Sequence, residues 1–315
     1  MTRRRKGAEI DGWLIIDKPS GPTSTTVVAI ARRTFNAQKA GHGGTLDPLA
    51  TGILPVALGQ ATKTVPYVQD ATKEYRFTLR FGEARDTDDA EGAITETSDA
   101  RPTDEAIRAA LKNFTGDIMQ VPPAFSAIKV AGERAYDLAR AGTPPVLEAR
   151  PARVDSFTLL DRPDADTAVL GVASGKGVYM RSLARDLARA LGTVGHISAL
   201  RRLRVGPFTE ASAVALDKLT APDHNPAASA FLHSVETALA DIPALALTGA
   251  ESRPLMGGQA ISLVPFIGRI PETASPDNGL VRVLRDGQAI ALARLCDGML
   301  QPERLLVPAG PPAGP

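Results

Sequence analysis

The sequence predicts an α+β fold: a mixed, largely antiparallel central sheet with flanking helices, plus a small β-rich C-terminal domain. Three observations carry that expectation. Strand-like and helix-like segments intermix without the regular βαβ alternation of a parallel sheet. Tyr75, Phe77, Leu79 and Phe81 alternate with Arg76, Thr78 and Arg80, giving a strand with one apolar and one polar face. From about Ile242 the composition shifts toward short strand-like runs. A length of 315 residues accommodates one large domain plus a small one.

The elements follow in order. Trp13 to Asp17 is an apolar strand that runs into Lys18-Pro19-Ser20-Gly21-Pro22, a rigid loop. Ser24 is read as the cap of a helix that continues to about Thr34 and ends in the Asn36 region. Ile53 to Leu58 is a short strand in which Pro55 argues for an edge or an interruption. Thr103 caps a helix to Phe114, with Asp104 and Glu105 complementing the dipole in its first turn. A strand is expected at Phe125 to Val130, then a helix from Glu133 to Ala141 closed by Gly142. Strands follow near Arg153 to Leu160 and Thr167 to Ala173. Met180, Leu183, Ala184, Leu187, Ala188 and Leu191 fall at helical spacing, with Gly192 as terminator. A basic strand is read at Leu200 to Val205, and a connecting helix with loops at Asp217 to Ala240. Ala260 to Leu263, Leu280 to Leu284 and Ala289 to Leu295 are the strands of the small domain. The Pro/Gly-rich tail from Pro308 to Pro315 is expected to be disordered.

The bulk composition, 43% hydrophobic and 23% charged, is that of an ordinary soluble globular protein. No apolar run approaches a membrane span, and Trp13 to Ile16 is too short for a signal sequence. Cys296 is the single cysteine, which rules out an intrachain disulfide framework. A cytoplasmic location without membrane association is the expectation. The 36 basic and 35 acidic residues nearly cancel, so distribution says more than net charge. Basic residues cluster at Arg3 to Lys6, at Arg150 and Arg153, at Arg181, Arg185 and Arg189, and at Arg201, Arg202 and Arg204. Such segregation suits one face for a polyanion. The plain alternative is that arginine is the common surface cation here.

Residues 41–52 read G-H-G-G-T-L-D-P-L-A-T-G. Glycine permits backbone shapes closed to other residues, and Pro48 biases Asp47 toward extended geometry. The segment therefore reads as a shaped loop that presents Asp47. A turn aspartate bonded to nearby amides is the ordinary alternative.

Further segments join this loop: Lys18-Pro19-Ser20-Gly21, Lys73-Glu74-Tyr75-Arg76, Val121-Pro122-Pro123-Ala124-Phe125-Ser126-Ala127-Ile128-Lys129, Gly175-Lys176-Gly177-Val178-Tyr179-Met180-Arg181 and Leu200-Arg201-Arg202-Leu203. In this order, over about Trp13 to Val307, the chain resembles the TruB family of bacterial tRNA pseudouridine synthases. The resemblance implies the pseudouridine synthase fold and isomerisation of uridine 55 in the tRNA T loop, by base flipping and without cofactor or metal. It casts Asp47 as the catalytic carboxylate. Attack on uracil C6, attack on ribose and removal of a ribose proton all stay open. Arg181 would pair with Asp47 and hold it ionised. Tyr75 would stack on the base, Tyr179 and Leu200 would line the pocket, His42 would touch the extruded nucleotide, and Lys18 would support the loop.

The resemblance also sets a domain plan: 1–240 catalytic, 241–308 a PUA-like RNA-binding domain, and 309–315 a disordered tail. Within the first lies an RNA-clamping insertion at about 122–153, whose Lys129, Arg134, Arg140 and Arg150 would meet phosphates. The implied partner is the T arm of tRNA, and a monomer is expected. Three departures stand out. Gly43 replaces a common threonine, Arg85 replaces a threonine in the acidic turn to Gly92, and Pro265 to Gly279 looks inserted. Two other readings stand beside this one. A tRNA-folding chaperone would need no catalysis, and a carboxylate hydrolase would need a second acid that no paired position supplies.

Overall fold

The computed structural model describes residues 7–130, 132–219, 230–274 and 279–306. The basic cluster at Arg3 to Lys6, the tail, Val307, the Arg134 side chain and parts of the 217–240 and 265–279 segments lie outside the described residues.

The chain begins with β1 (Gly12–Lys18), α1 (Ser24–Thr34), β2 (Ala40–His42), β3 (Thr51–Leu58), α2 (Val65–Asp70), β4 (Lys73–Phe81), β5 (Glu83–Arg85), β6 (Ile94–Thr97) and α3 (Asp104–Leu111). It continues with β7 (Gly116–Gln120), β8 (Lys129–Val130), β9 (Glu133–Arg134), α4 (Ala135–Arg140), β10 (Arg150–Asp164), β11 (Thr167–Ser174), α5 (Met180–Ala190) and β12 (Gly195–Val205). The short elements β13 (Phe208–Thr209), β14 (Val214–Ala215), β15 (Leu232–His233) and α6 (Val235–Ala238) precede β16 (Ala244–Ala246), α7 (Gly249–Met256), β17 (Ile261–Ser262), β18 (Leu280–Arg285), β19 (Gln288–Cys296) and β20 (Met299–Leu305).

One 11-stranded sheet runs β14-β1-β3-β12-β4-β11-β10-β7, with β15, β2 and β13 attached to β1, β3 and β12. Its described pairs are antiparallel except β1 with β14 and β3 with β12. The α+β expectation, largely antiparallel, is met. A second sheet, β16-β18-β19-β20-β17, forms the β-rich C-terminal domain.

The continuous apolar run of β1 has a plain cause. Leu14 and Ile16 pack on one face with residues of α1, α3 and α5, including Val27, Ile107 and Leu183. Trp13 and Ile15 pack on the opposite face with Ile53, Val68 and Phe208. A strand covered on both sides loses its alternation. The small domain has its own core around Leu245, Leu255, Val283 and Leu295. It leans on the large one through Leu239, Ala289, Leu292 and Leu306, with Tyr67 and Val235 packed against them.

Four expectations need correction. Thr23, not Ser24, caps α1 through its hydroxyl to the Thr26 N–H at 3.1 Å; Ser24 is committed to the Leu46 backbone instead. Pro55 does not interrupt β3. Its carbonyl accepts the Gly43 N–H at 2.8 Å, and in an extended strand the missing proline donor points to that same side, where β2 stops. Within 125–130 only Lys129–Val130 is strand, because the Ser126 and Ile128 carbonyls accept Tyr136 and Ala135 N–H groups of α4. In the 217–240 connector, Leu232–His233 is a strand on β1 where a helix was expected.

Gly52 closes β3 onto β12 with φ of +98°, and a Cβ there would meet the Arg202 backbone, its nitrogen 2.9 Å away. Gly52→Ala should therefore cost roughly 1–3 kcal/mol of stability in denaturant melts, the cost of a strained left-handed residue, before any collision is counted.

Candidate active site

Residues 43–50 connect β2 to β3 without a ladder of their own, so neighbours must hold them. Lys18, with no exposed surface, donates to the carbonyls of Pro19 (2.8 Å), Pro22 (2.9 Å) and Pro48 (3.1 Å). An ammonium has three donors, and all three are used. Ser24 both donates to the Leu46 carbonyl at 2.9 Å and accepts the Leu46 N–H at 2.8 Å. Arg202, 1% exposed, donates to the carbonyls of Ile53 (2.7 Å), Gly44 (3.0 Å) and Thr45 (3.2 Å). The backbone around Asp47 is thus tied to β1, α1 and β12 before any ligand arrives.

The Asp47 carboxylate faces Arg181 Nη2 at 2.9 Å. Arg181 is the second residue of α5, where the helix dipole disfavours a cation, so acidic partners must compensate. Its Nε lies 3.7 Å from Asp89 Oδ2. Its guanidinium also donates to the Thr87 carbonyl at 3.0 Å and the Phe125 carbonyl at 2.9 Å. The two acids differ in access to water. The Asp89 side chain is 4% exposed against 38% for Asp47. Asp89 therefore neutralises a buried guanidinium, for which loss of the partner is costly. Asp47 keeps an open side from which to meet a ligand.

A pocket of about 300 Å³ opens at this carboxylate. Asp47, Tyr75, Tyr179, Arg181 and Leu200 all line it, together with Lys73 and Ser126. The structure thus brings five of the seven sequence-derived residues to one cavity. Lys18 lies under the loop rather than on the pocket wall. His42 is half-buried beside it, its Nδ1 accepting the Gly44 N–H at 3.3 Å. Burial pushes the His42 imidazole below its usual pKa, and the Arg202 charge adds to that.

Arg202 was missed as a loop anchor. Its register partner is Tyr75, whereas Arg201 pairs with Arg76 on the opposite face. The period of two separates Arg202 from Arg201, but a register shift after Arg202 is what turns Arg204 to the Arg201 face. Arg201 and Arg204 are engaged on their own face, Arg201 with Asp17 at 2.9 Å and Glu210 at 2.6 Å, Arg204 with Glu74 at 3.4 Å. This row is therefore not a bare cationic strip. Gln120 was missed as well: its amide accepts the Tyr179 N–H at 2.8 Å and donates to the Tyr179 carbonyl at 3.1 Å. That clamp fixes the residue before α5, whose N-cap lacks a side-chain bond of its own.

Two of the three departures, Gly43 and Arg85, have physical accounts. A Cβ on Gly43 would lie 2.6 Å from Val68 and 3.4 Å from Trp13, so a threonine hydroxyl would enter the apolar cluster rather than the pocket. Arg85 donates to the Gly92 carbonyl at 2.8 Å and pairs with Glu83 at 3.1 Å, which closes the turn carrying Asp89. Arg185 pairs with Asp88 at 2.9 Å and donates to the Val121 carbonyl at 2.9 Å, so its charge is already committed. Arg189 is exposed.

The model of the TruB family pseudouridylate synthase N-terminal domain matches residues 32–180, and that of the tRNA pseudouridylate synthase B C-terminal domain matches 181–240. A tRNA pseudouridine synthase B of Gluconacetobacter diazotrophicus is 66% identical over 96% of this chain and 100% of its own length. The chain belongs to the TruB family of pseudouridine synthases. The protein of that name from Gluconobacter oxydans is 55% identical, over 96% of this chain and 93% of its own length. In Rhodospirillum rubrum the figures are 53%, 97% and 99%. Among solved structures, a chain of a Cbf5-Nop10-Gar1 complex superposes with a TM-score of 0.72 at 26% identity, over 94% of this chain and 85% of that one. A chain of an archaeal box H/ACA Nop10-Cbf5 complex gives 0.71 at 25%, over 98% and 93%. As TruB-family members are, this chain is a pseudouridine synthase. No helix among the described residues is long and apolar enough to cross a membrane.

Burial lowers Lys73 to about 8, with the Arg202 charge the next cause, and burial likewise lowers Lys18 to about 8 against the opposing charge of Asp47. Unfolded lysine titrates near 10.5, so between those values the unfolded chain binds more protons and stability rises with pH. Above about pH 10, Tyr67, raised by burial and by its bond to Glu303 to about 12, acts in the opposite sense. The unfolding free energy of wild type relative to Lys73→Met should therefore increase from pH 8 to 10, measured by urea melts at each pH. In that difference the Lys18 and Tyr67 contributions cancel.

Proposed function

We propose that this chain converts uridine 55 in the T loop of tRNA to pseudouridine, with Asp47 as the catalytic carboxylate. The observation that supports this most is the Asp47–Arg181 ion pair at 2.9 Å on the wall of a pocket that also carries the Tyr75 ring. The isomerisation breaks the C1′–N1 bond and forms C1′–C5; C5 loses a proton and N1 gains one, so composition is unchanged. A carboxylate paired with a guanidinium supplies the covalent or basic partner such glycosyl chemistry requires.

A stacked uracil must first leave the T loop, at a cost of about a few kcal/mol. Tyr75 receives its face, Leu200 and Tyr179 bound the nucleotide, and the neutral, half-buried His42 contacts the extruded strand without transferring a proton. Lys18 acts from below by fixing the Pro48 carbonyl. Backbone contacts offset the extrusion. Lys129, Arg140 and Arg150 are exposed on the 122–153 insertion and meet phosphates there, while the β-rich C-terminal domain serves as a PUA-like grip on the stem. The monomer acts on the T arm in the cytoplasm.

Asp47→Ala should abolish pseudouridine at position 55 of an unmodified tRNA transcript while tRNA binding persists; undiminished modification would sink the assignment. Replacing Lys129 and Arg140 with serine should weaken tRNA binding and flatten its dependence on log salt by about 0.7–0.9 per lost phosphate contact, measured by filter binding across a salt series.

A further inference from the structure

Five buried side-chain atoms among the described residues lack a hydrogen-bond partner, and of these only Ser126 Oγ belongs to a residue lining the Asp47 pocket. Ser126 is 4% exposed. Its place is not a matter of loop freedom. The Ser126 carbonyl accepts the Tyr136 N–H at 3.0 Å, and the preceding Phe125 carbonyl accepts from Arg181 at 2.9 Å. The backbone is thus anchored on both sides while the hydroxyl it delivers stays unpaired. The Tyr179 phenol is close enough to feel that hydroxyl, which opposes the upward push of burial on its pKa, but the two do not reach bonding geometry. A buried hydroxyl without a partner is disfavoured, and in native structures each such group calls for an explanation, a role in the site among them.

We infer that Ser126 is a substrate-contacting residue whose hydroxyl hydrogen-bonds the extruded uridine, at its ribose 2′-hydroxyl or its uracil edge. The inference rests on the reading of the Asp47 pocket given above. A hydroxyl both donates and accepts, and these are the groups that the nucleotide offers. The insertion then does more than hold RNA from outside: it supplies one wall of the pocket and a polar contact to the reacting nucleotide. Because the bond exists only in the complex, its loss separates activity from stability. Removing an unpaired hydroxyl relieves the free protein, whereas removing a structural hydrogen bond weakens it.

The test compares wild type, Ser126→Ala and Ser126→Cys on an unmodified tRNA transcript, with thermal melts of the free proteins. Ser126→Ala should lower kcat/KM roughly five- to ten-fold, the worth of one neutral hydrogen bond, with Tm level or raised, and Ser126→Cys should fall between. A transcript with 2′-deoxyuridine at the target position locates the contact. A deoxy penalty that vanishes in Ser126→Ala assigns it to the ribose; a penalty that persists unchanged assigns it to the uracil edge. The inference is overturned if Ser126→Ala stays within two-fold of wild type, or if its Tm drops together with its activity. An inactive Asp47→Ala beside a wild-type-like Ser126→Ala would overturn this contact alone, whereas an active Asp47→Ala would remove the reading beneath it.

Discussion

An irregular loop can present a reactive group accurately only if something else makes it rigid, and that constraint organises this protein. Between β2 and β3 the chain has almost no backbone pairing of its own. The stiffness comes from three side chains on three regular elements, Lys18 of β1, Ser24 of α1 and Arg202 of β12, each bonded to loop backbone. Two of the three are cations donating to carbonyls. Hydrogen bonds from charged groups are stronger than neutral ones, and no side-chain acid is consumed in making them. Asp47 is left as the one loop carboxylate, beside a guanidinium and above an ammonium.

Burial gives these cations unequal characters. Arginine stays charged in proteins, so Arg181 and Arg202 are fixed features of the site. Lysine yields to desolvation, and Lys18 and Lys73 are both brought down to about 8. The field at Asp47 therefore has a permanent part set by arginines and a part that fades in alkali. Asp89 serves the permanent part. Buried with Arg181, it offsets the cost of placing a guanidinium at a helix N-terminus.

Much of this was legible beforehand because it depends on local rules. The α5 stripe from Met180 to Leu191, the Thr103 cap and the alternation of Tyr75 to Phe81 need only spacing and capping chemistry, and the structure shows all three. The glycine-rich loop identified Asp47, and the order of its companion motifs identified four more residues that converge on the same pocket. Contacts set by the third dimension escaped. Thr23 and Ser24 are equivalent caps by type, and only the distant Leu46 backbone decides between them. Arg202 sits in a basic run whose other members face away, Arg201 by parity and Arg204 through a register shift that no residue type announces. Gln120 carries no motif. Its bonds to Tyr179 cross 59 positions of sequence, a distance at which composition is silent.

Two arginines of α5, Arg181 in its first turn and Arg185 in its second, tie the Asp47 pocket to the segment that follows β7. Arg181 holds the Phe125 carbonyl and Arg185 the Val121 carbonyl, both in the segment that leads out of β7. A pull on that segment would reach the guanidinium that faces Asp47. Cutting the chain back to β7 would leave the Arg181 and Arg185 donors unfilled beside that carboxylate. The first few residues after β7 thus belong mechanically to the pocket rather than to the exposed stretch beyond them.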